Sequence, residues 1–217
     1  RLKMKLEKKS LLFALRKSIY HKMYESWSLQ KQVMWGIEKG VYDPAILTYY
    51  TSDELEELDR AIDHERDLKF TYAGLRQVYD KYLCQDRSSG KIYETPQFMY
   101  MMISATIFHA YPQASRLSFV KAYYDAISKH LINIPTPIMS GVRTPIRQYA
   151  SCVLVESDDS LDSIFASDMA IGYYTSQRAG IGINAGRIRA MGSRIRDGEV
   201  KHTGVIPFLK KFEATVR

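Results

Sequence analysis

One cysteine, Cys152, stands in the apolar run from Tyr149 to Val155, directly after Ser151. Asp158-Asp159-Ser160 follows, then a helix-length interval, then three glycines in the seven residues Gly180–Gly186, then Arg187, Arg189, Arg194 and Arg196. A thiol does nucleophilic or redox chemistry when it is exposed and ionisable. A helix start at Ser160 offers free amides to an anion or a ribose hydroxyl. Gly180 lets a ligand approach the backbone closely, and clustered arginines grip phosphate through two parallel hydrogen bonds. The set is what a redox thiol beside bound phosphates requires. Each member also has a plainer use: a small hydrophobe in a strand, a simple helix cap, a solvated basic loop. GIGINAG lacks both the spacing of a dinucleotide fingerprint and the lysine of a phosphate loop. Cys84, after a helix in a polar stretch, reads as structural. No pair among the five histidines has metal-ligand spacing, so no metal site is expected, and His64-Glu65-Arg66-Asp67 reads as a surface helix cap.

The 217 residues suffice to bury a core, and 46% hydrophobic with 25% charged residues is ordinary for a soluble domain. No apolar run approaches the ~20 residues that span a bilayer, and no signal peptide follows the basic start RLKMKLEKKS. Two distant cysteines make neither a secreted disulfide framework nor a zinc site, which points to a reducing, cytoplasmic setting. The net charge of +7 favours anionic partners, or simply solvates helix faces. A first residue that is not Met, and a last helix that starts just before the end, read as a piece of a longer chain.

The elements that must position these residues divide in two. Up to about residue 147 the pattern is helical. One helix is expected over 10–38, with Leu11, Leu12, Leu15, Ile19 and Met23 on one face. Thr51 to Glu54 is a capping box for a helix to about Ile62. Helices are also expected over 70–83, from Pro96 to His109, and over 114–130, with a loop or short hairpin over 84–94. Residues 131–137 read as extended before their prolines, and 139–145 as loop. From about 148 the pattern is α/β: a strand over 149–155 buried on both faces, a helix from Ser160 to about Arg178, a glycine loop over 180–186, and a final helix from Val205.

Read as whole peptides, IPTPIMSGVRTP, SCVLVESDDSLDSI, SQRAGIGINAGRIRAMGSRIR and HTGVIPF resemble the large, catalytic subunit of class I ribonucleotide reductase, in that family's order and spacing. KGVYDP, DHERDLKFTYAGL, GKIYETPQFMY and LSFVKAYYDAIS extend the resemblance over most of the chain from about residue 12. It implies a mainly α fold with a smaller α/β part: a helical domain over 11–147, then over 148–217 the first strand and helices of an incomplete ten-stranded α/β barrel. The ATP-binding cone of many members would be absent here or reduced to its final turns in residues 1–10.

The resemblance implies reduction of ribonucleoside diphosphates to deoxyribonucleoside diphosphates. Cys152 would be one thiol of the redox pair, and its partner cysteine is absent from this sequence. Thr136, Ser151, Cys152 and Gly180 would contact substrate. Asp159, Ser160, Leu161, Arg189 and Arg196 would hold a deoxynucleoside triphosphate or ATP effector, and the helix after Ser160 would join two copies into a homodimer. The family also needs a small subunit with a di-iron tyrosyl radical, a thioredoxin- or glutaredoxin-type reductant, and here a polypeptide carrying the rest of the barrel; a membrane is not a partner. This chain would be inactive alone. The alternative is a non-catalytic basic helical module that binds nucleic acid or a regulatory nucleotide, on the strength of the net charge.

Overall fold

A computed structural model of the chain describes residues 2–21, 27–177 and 179–217. The chain forms two compact units, one ending at Tyr149 and one beginning at Ala150. The expected helix-face residue Met23 and the expected helix end Arg178 lie outside the described residues.

The first unit is helical. Helix α1 spans Leu2–Tyr20, and α2 spans Leu29–Glu38 with Ser28 as its N-cap. The single helix expected over 10–38 is therefore two: His21 takes a positive φ of 59°, which a helix cannot continue through. A short α3 (Ile46–Tyr49) precedes α4 (Ser52–Arg60), which starts at the Thr51–Glu54 capping box with both reciprocal bonds present. A 3₁₀ turn covers His64–Lys69, and α5 (Tyr72–Gln77) passes into a π-turn over Val78–Tyr82. Strands β1 (Gln85–Asp86) and β2 (Lys91–Ile92) pair as a hairpin.

Helix α6 (Pro96–Phe108) is buried at every residue from Pro96 to Ala105, so it is the axis of the core. Helix α7 (Gln113–Ser128) packs along it. Helix α8 spans Thr136–Gly141, where an extended stretch and then a loop are expected from the sequence. Pro137 costs nothing in a first turn. Ser140 and Arg143 donate to the carbonyls of Thr136 and Met139, satisfying backbone that a loop would have left to water.

The stretch 64–67 is also not a surface cap. Asp67 is fully buried, accepting from Gln97 Nε2 at 2.9 Å and facing Arg16 at 3.4 Å. Arg66 is buried too, donating to Asp125 and Ser128.

The second unit is built on one β-α-β crossover. Strand β3 (Cys152–Glu156) leads through α9 (Leu161–Ser176) to β4 (Gly180–Asn184), and the strands pair in parallel. The hairpin of β5 (Arg194–Ile195) and β6 (Val200–Lys201) precedes α10 (Ile206–Thr215). Ile164 and Ile171 of α9, Ala185, Ile188 and Phe212 of α10 form its core, with Val155, Ile181 and Ile183 packed against them.

Two expectations are corrected here. Residues 180–184 are strand, not loop, because Ile181 and Ile183 alternate toward the core while the glycines occupy the other face. Strand β3 is not buried on both faces: Val155 faces the core, whereas Cys152 is exposed and Leu154 is 88% exposed. The sheet pairs with nothing beyond these two strands among the described residues, so no barrel is closed.

Candidate functional site

The open face of the β3–β4 pair carries Cys152, Leu154 and Glu156 from one strand. Gly180, Gly182 and Asn184 lie opposite them in register. Ser151 immediately precedes this face, and its carbonyl accepts from the Gly180 amide at 2.8 Å. A Cβ on Gly180 would stand 3.5 Å from that carbonyl and 3.8 Å from Cys152 Sγ. A Cβ on Gly182 would meet Leu154 at 2.7 Å. Leu154 therefore lies over Gly182, whereas at Gly180 the thiol faces backbone with no side chain opposite it. Ser151, Cys152 and Gly180 are brought together at one end of the pair. Thr136 belongs to the first unit, as the opening residue of α8, where its hydroxyl shares a hydrogen bond of 3.2 Å with Tyr82.

Cys84, by contrast, is buried in the first unit, and burial pushes its thiol far above the ordinary range. That leaves Cys152 as the exposed thiol of the chain.

At the other end of β3 the charged residues converge. Asn184 donates to Glu156 at 3.2 Å, and Arg187 pairs with Glu156 at 3.1 Å and Asp158 at 2.9 Å. Asp159 accepts from the backbone amide of Arg189 at 3.0 Å and from its Nε at 2.7 Å. That amide bond first, and then the guanidinium, hold the Asp159 carboxyl below its usual range. Ser160 is the N-cap of α9, accepting from the Ser163 amide at 3.1 Å, while Ser163 Oγ accepts from the Asp158 amide at 2.8 Å. Leu161 begins a stripe of exposed apolar side chains, Leu161, Phe165, Met169 and Tyr173, one helical turn apart along α9.

So Asp159, Ser160, Leu161 and Arg189 form one cluster. Arg196 is exposed at the head of the β5–β6 hairpin with a φ of 51° and makes no ion pair among the described residues. Sequence reasoning missed Glu156 and Asp158 as the partners of Arg187, and Tyr82 as the partner of Thr136. The last pair is 54 positions apart, and no local pattern signals it.

Comparisons with known proteins bear on this arrangement. Residues 68–147 match the family description "Ribonucleotide reductase, all-alpha domain", and residues 150–217 match "Ribonucleotide reductase, barrel domain". The chain belongs to the ribonucleotide reductase large-subunit family. It is 53% identical over 206 residues to ribonucleoside-diphosphate reductase 1 subunit alpha of Escherichia coli strain K12, covering 95% of this chain and 27% of that protein. The alpha subunits of Haemophilus influenzae and Enterobacteria phage T4 are 52% and 48% identical, each over 95% of this chain and 27% of the relative. The chain thus spans about a quarter of the length of these curated relatives. The match to the all-alpha domain falls within the helical unit, and the match to the barrel domain falls within the unit that contains β3, α9 and β4. Among the described residues no helix is long and apolar enough to cross a membrane.

Proposed function

We propose that this chain supplies part of the substrate site and much of the effector site of a cytoplasmic ribonucleoside-diphosphate reductase large subunit. The observation that carries the reading is the exposed Cys152 sulfur opposite Gly180 at the start of the first barrel strand. In the reaction, two thiols lose their hydrogens and become a disulfide, while the ribose 2′-hydroxyl leaves as water and hydrogen takes its place. Cys152 is one of those thiols. The second comes from the rest of the barrel, because Cys84 is buried in the helical unit. A thioredoxin- or glutaredoxin-type dithiol then reduces the disulfide by exchange. A di-iron tyrosyl radical held by a small subunit would supply the initiating oxidation.

Thr136, Ser151 and Gly180 bind the substrate, the hydroxyls by donating to phosphate oxygens and Gly180 by leaving room. Asp159, Ser160 and Leu161, with Arg189 and Arg196, take a deoxynucleoside triphosphate or ATP. Support for this comes from the Asp159–Arg189 contact, which ties the loop after β4 to the start of α9. The apolar stripe Leu161–Tyr173 supports a homodimer through α9, since such a row is covered in a stable assembly. The alternative of a basic nucleic-acid module has less support: Arg16, Arg66, Arg116 and Arg143 are committed to carboxylates within the fold. The test is a ribonucleoside-diphosphate reduction assay on the large subunit containing this chain, mixed with its small subunit. Effector-dependent turnover supports the reading, and inactivity with every diphosphate counts against it.

A further inference from the structure

Thr136 is fixed from two directions by a network that the reaction chemistry does not require. Its hydroxyl lies 3.2 Å from the phenol oxygen of Tyr82, a buried residue that closes the π-turn after α5. Single π-turns in helices recur at functional sites. The carbonyl of the same Tyr82 accepts from Arg143 Nη2 at 2.9 Å, and Arg143 Nη1 donates to the Met139 carbonyl of α8 at 2.6 Å. One guanidinium thus ties the turn that carries Tyr82 to the helix that Thr136 begins. Arg143 is itself held by Glu94: both side chains are fully buried, with Nε to Oε2 at 2.9 Å. Glu94 is fixed in turn by the Tyr42 hydroxyl at 2.6 Å and the Cys84 amide at 2.7 Å.

We propose that Tyr82 is a positioning residue for substrate binding: its phenol holds the Thr136 hydroxyl in one orientation, and the Arg143–Glu94 pair locks the two segments that bear them. With Tyr82 donating to Thr136 Oγ, the Thr136 hydrogen is left to point at an anionic oxygen, and each bond in such a chain strengthens the next. This rests on the reading of Thr136 as a substrate contact.

The experiment measures KM and kcat for cytidine diphosphate on the complete large subunit with its small subunit. It compares wild type, Tyr82→Phe, Thr136→Val and the double variant. Tyr82→Phe keeps the ring in place and removes only the hydroxyl. It should raise KM about three- to tenfold, with a smaller change in kcat, and should add nothing in the Thr136→Val background. A wild-type KM for Tyr82→Phe, or an undiminished effect in the double variant, overturns the proposal while leaving Thr136 in its role. A wild-type KM for Thr136→Val overturns both. Arg143→Lys keeps the charge but loses the fork, so it should raise KM in the same direction; an unchanged KM there contradicts the lock.

Discussion

Cys152 and Gly180 face one another in register across the parallel β3–β4 pair, and Gly180 sets no side chain against the exposed sulfur. In the native protein, iodoacetamide should therefore label Cys152 and spare the buried Cys84, as read by mass spectrometry of the digested protein. Gly180→Val would set methyl groups beside the sulfur and slow labelling of Cys152 several-fold. Equal labelling of both cysteines without denaturant would contradict this assignment.

Glu94 and Arg143 form a fully buried ion pair with further bonds to Tyr42, the Cys84 amide and the carbonyls of Tyr82 and Met139. Removing one partner leaves the other charge without compensation. Glu94→Gln should lower stability by about 3–5 kcal/mol in urea unfolding. Lys121→Gln, on an exposed pair with Glu57, should cost less than about 1 kcal/mol. Similar losses from the two changes would remove Glu94 from the centre of the helical unit.

Asp67, fully buried, and His64, partly buried, oppose each other in their pH dependence. Burial raises the Asp67 carboxyl from 3.8 to about 6, against the Gln97 and Arg16 donors that face it. Burial, aided by the nearby Arg16 charge, lowers His64 from 6.5 to about 4. The contribution of Asp67 is complete below its unfolded value and is lost as pH rises through about 6. That of His64 is complete above 6.5 and is lost as pH falls through about 4. Asp67→Asn removes the limb that falls with pH. Its unfolding free energy should then climb more steeply than wild type between about pH 4 and 6, by up to about 3 kcal/mol. Parallel profiles for the two proteins would contradict the burial assigned to Asp67.

Asp159 ties down the Arg189 amide and side chain from across the β-α-β unit. Asp159→Ala should speed hydrogen exchange at the Arg189 amide in this chain, and in the complete subunit it should weaken the response to a deoxynucleoside triphosphate. Faster exchange with an unaltered effector response would separate the structural bond from the effector role.

Local chemistry made part of this legible in the sequence. Thr51 and Glu54 announce their capping box, Pro96 opens the central helix, and Ser160 caps α9, because each signal lies within four residues of its effect. Residues 180–184 were opaque because glycine density reads as loop, and the strand is made by a partner 28 positions away. The same distance hides Glu94 from Arg143, 49 residues on, and Tyr82 from Thr136. Asp67 looked like a surface charge because the residues that bury it, Gln97 of α6 and Arg16 of α1, lie 30 and 51 positions away. The exposed face of β3 was unreadable for a different reason: Cys152 and Leu154 belong to an apolar run, and only the β4 register shows which side meets the core.

The most direct measurement of the central claim is turnover of a ribonucleoside diphosphate by the complete large subunit, with its small subunit and a dithiol reductant, comparing wild type with Cys152→Ala. The variant should fold, bind effector and lose turnover to background. Wild-type turnover by Cys152→Ala would show that the exposed thiol on the β3–β4 face is not one of the reducing pair.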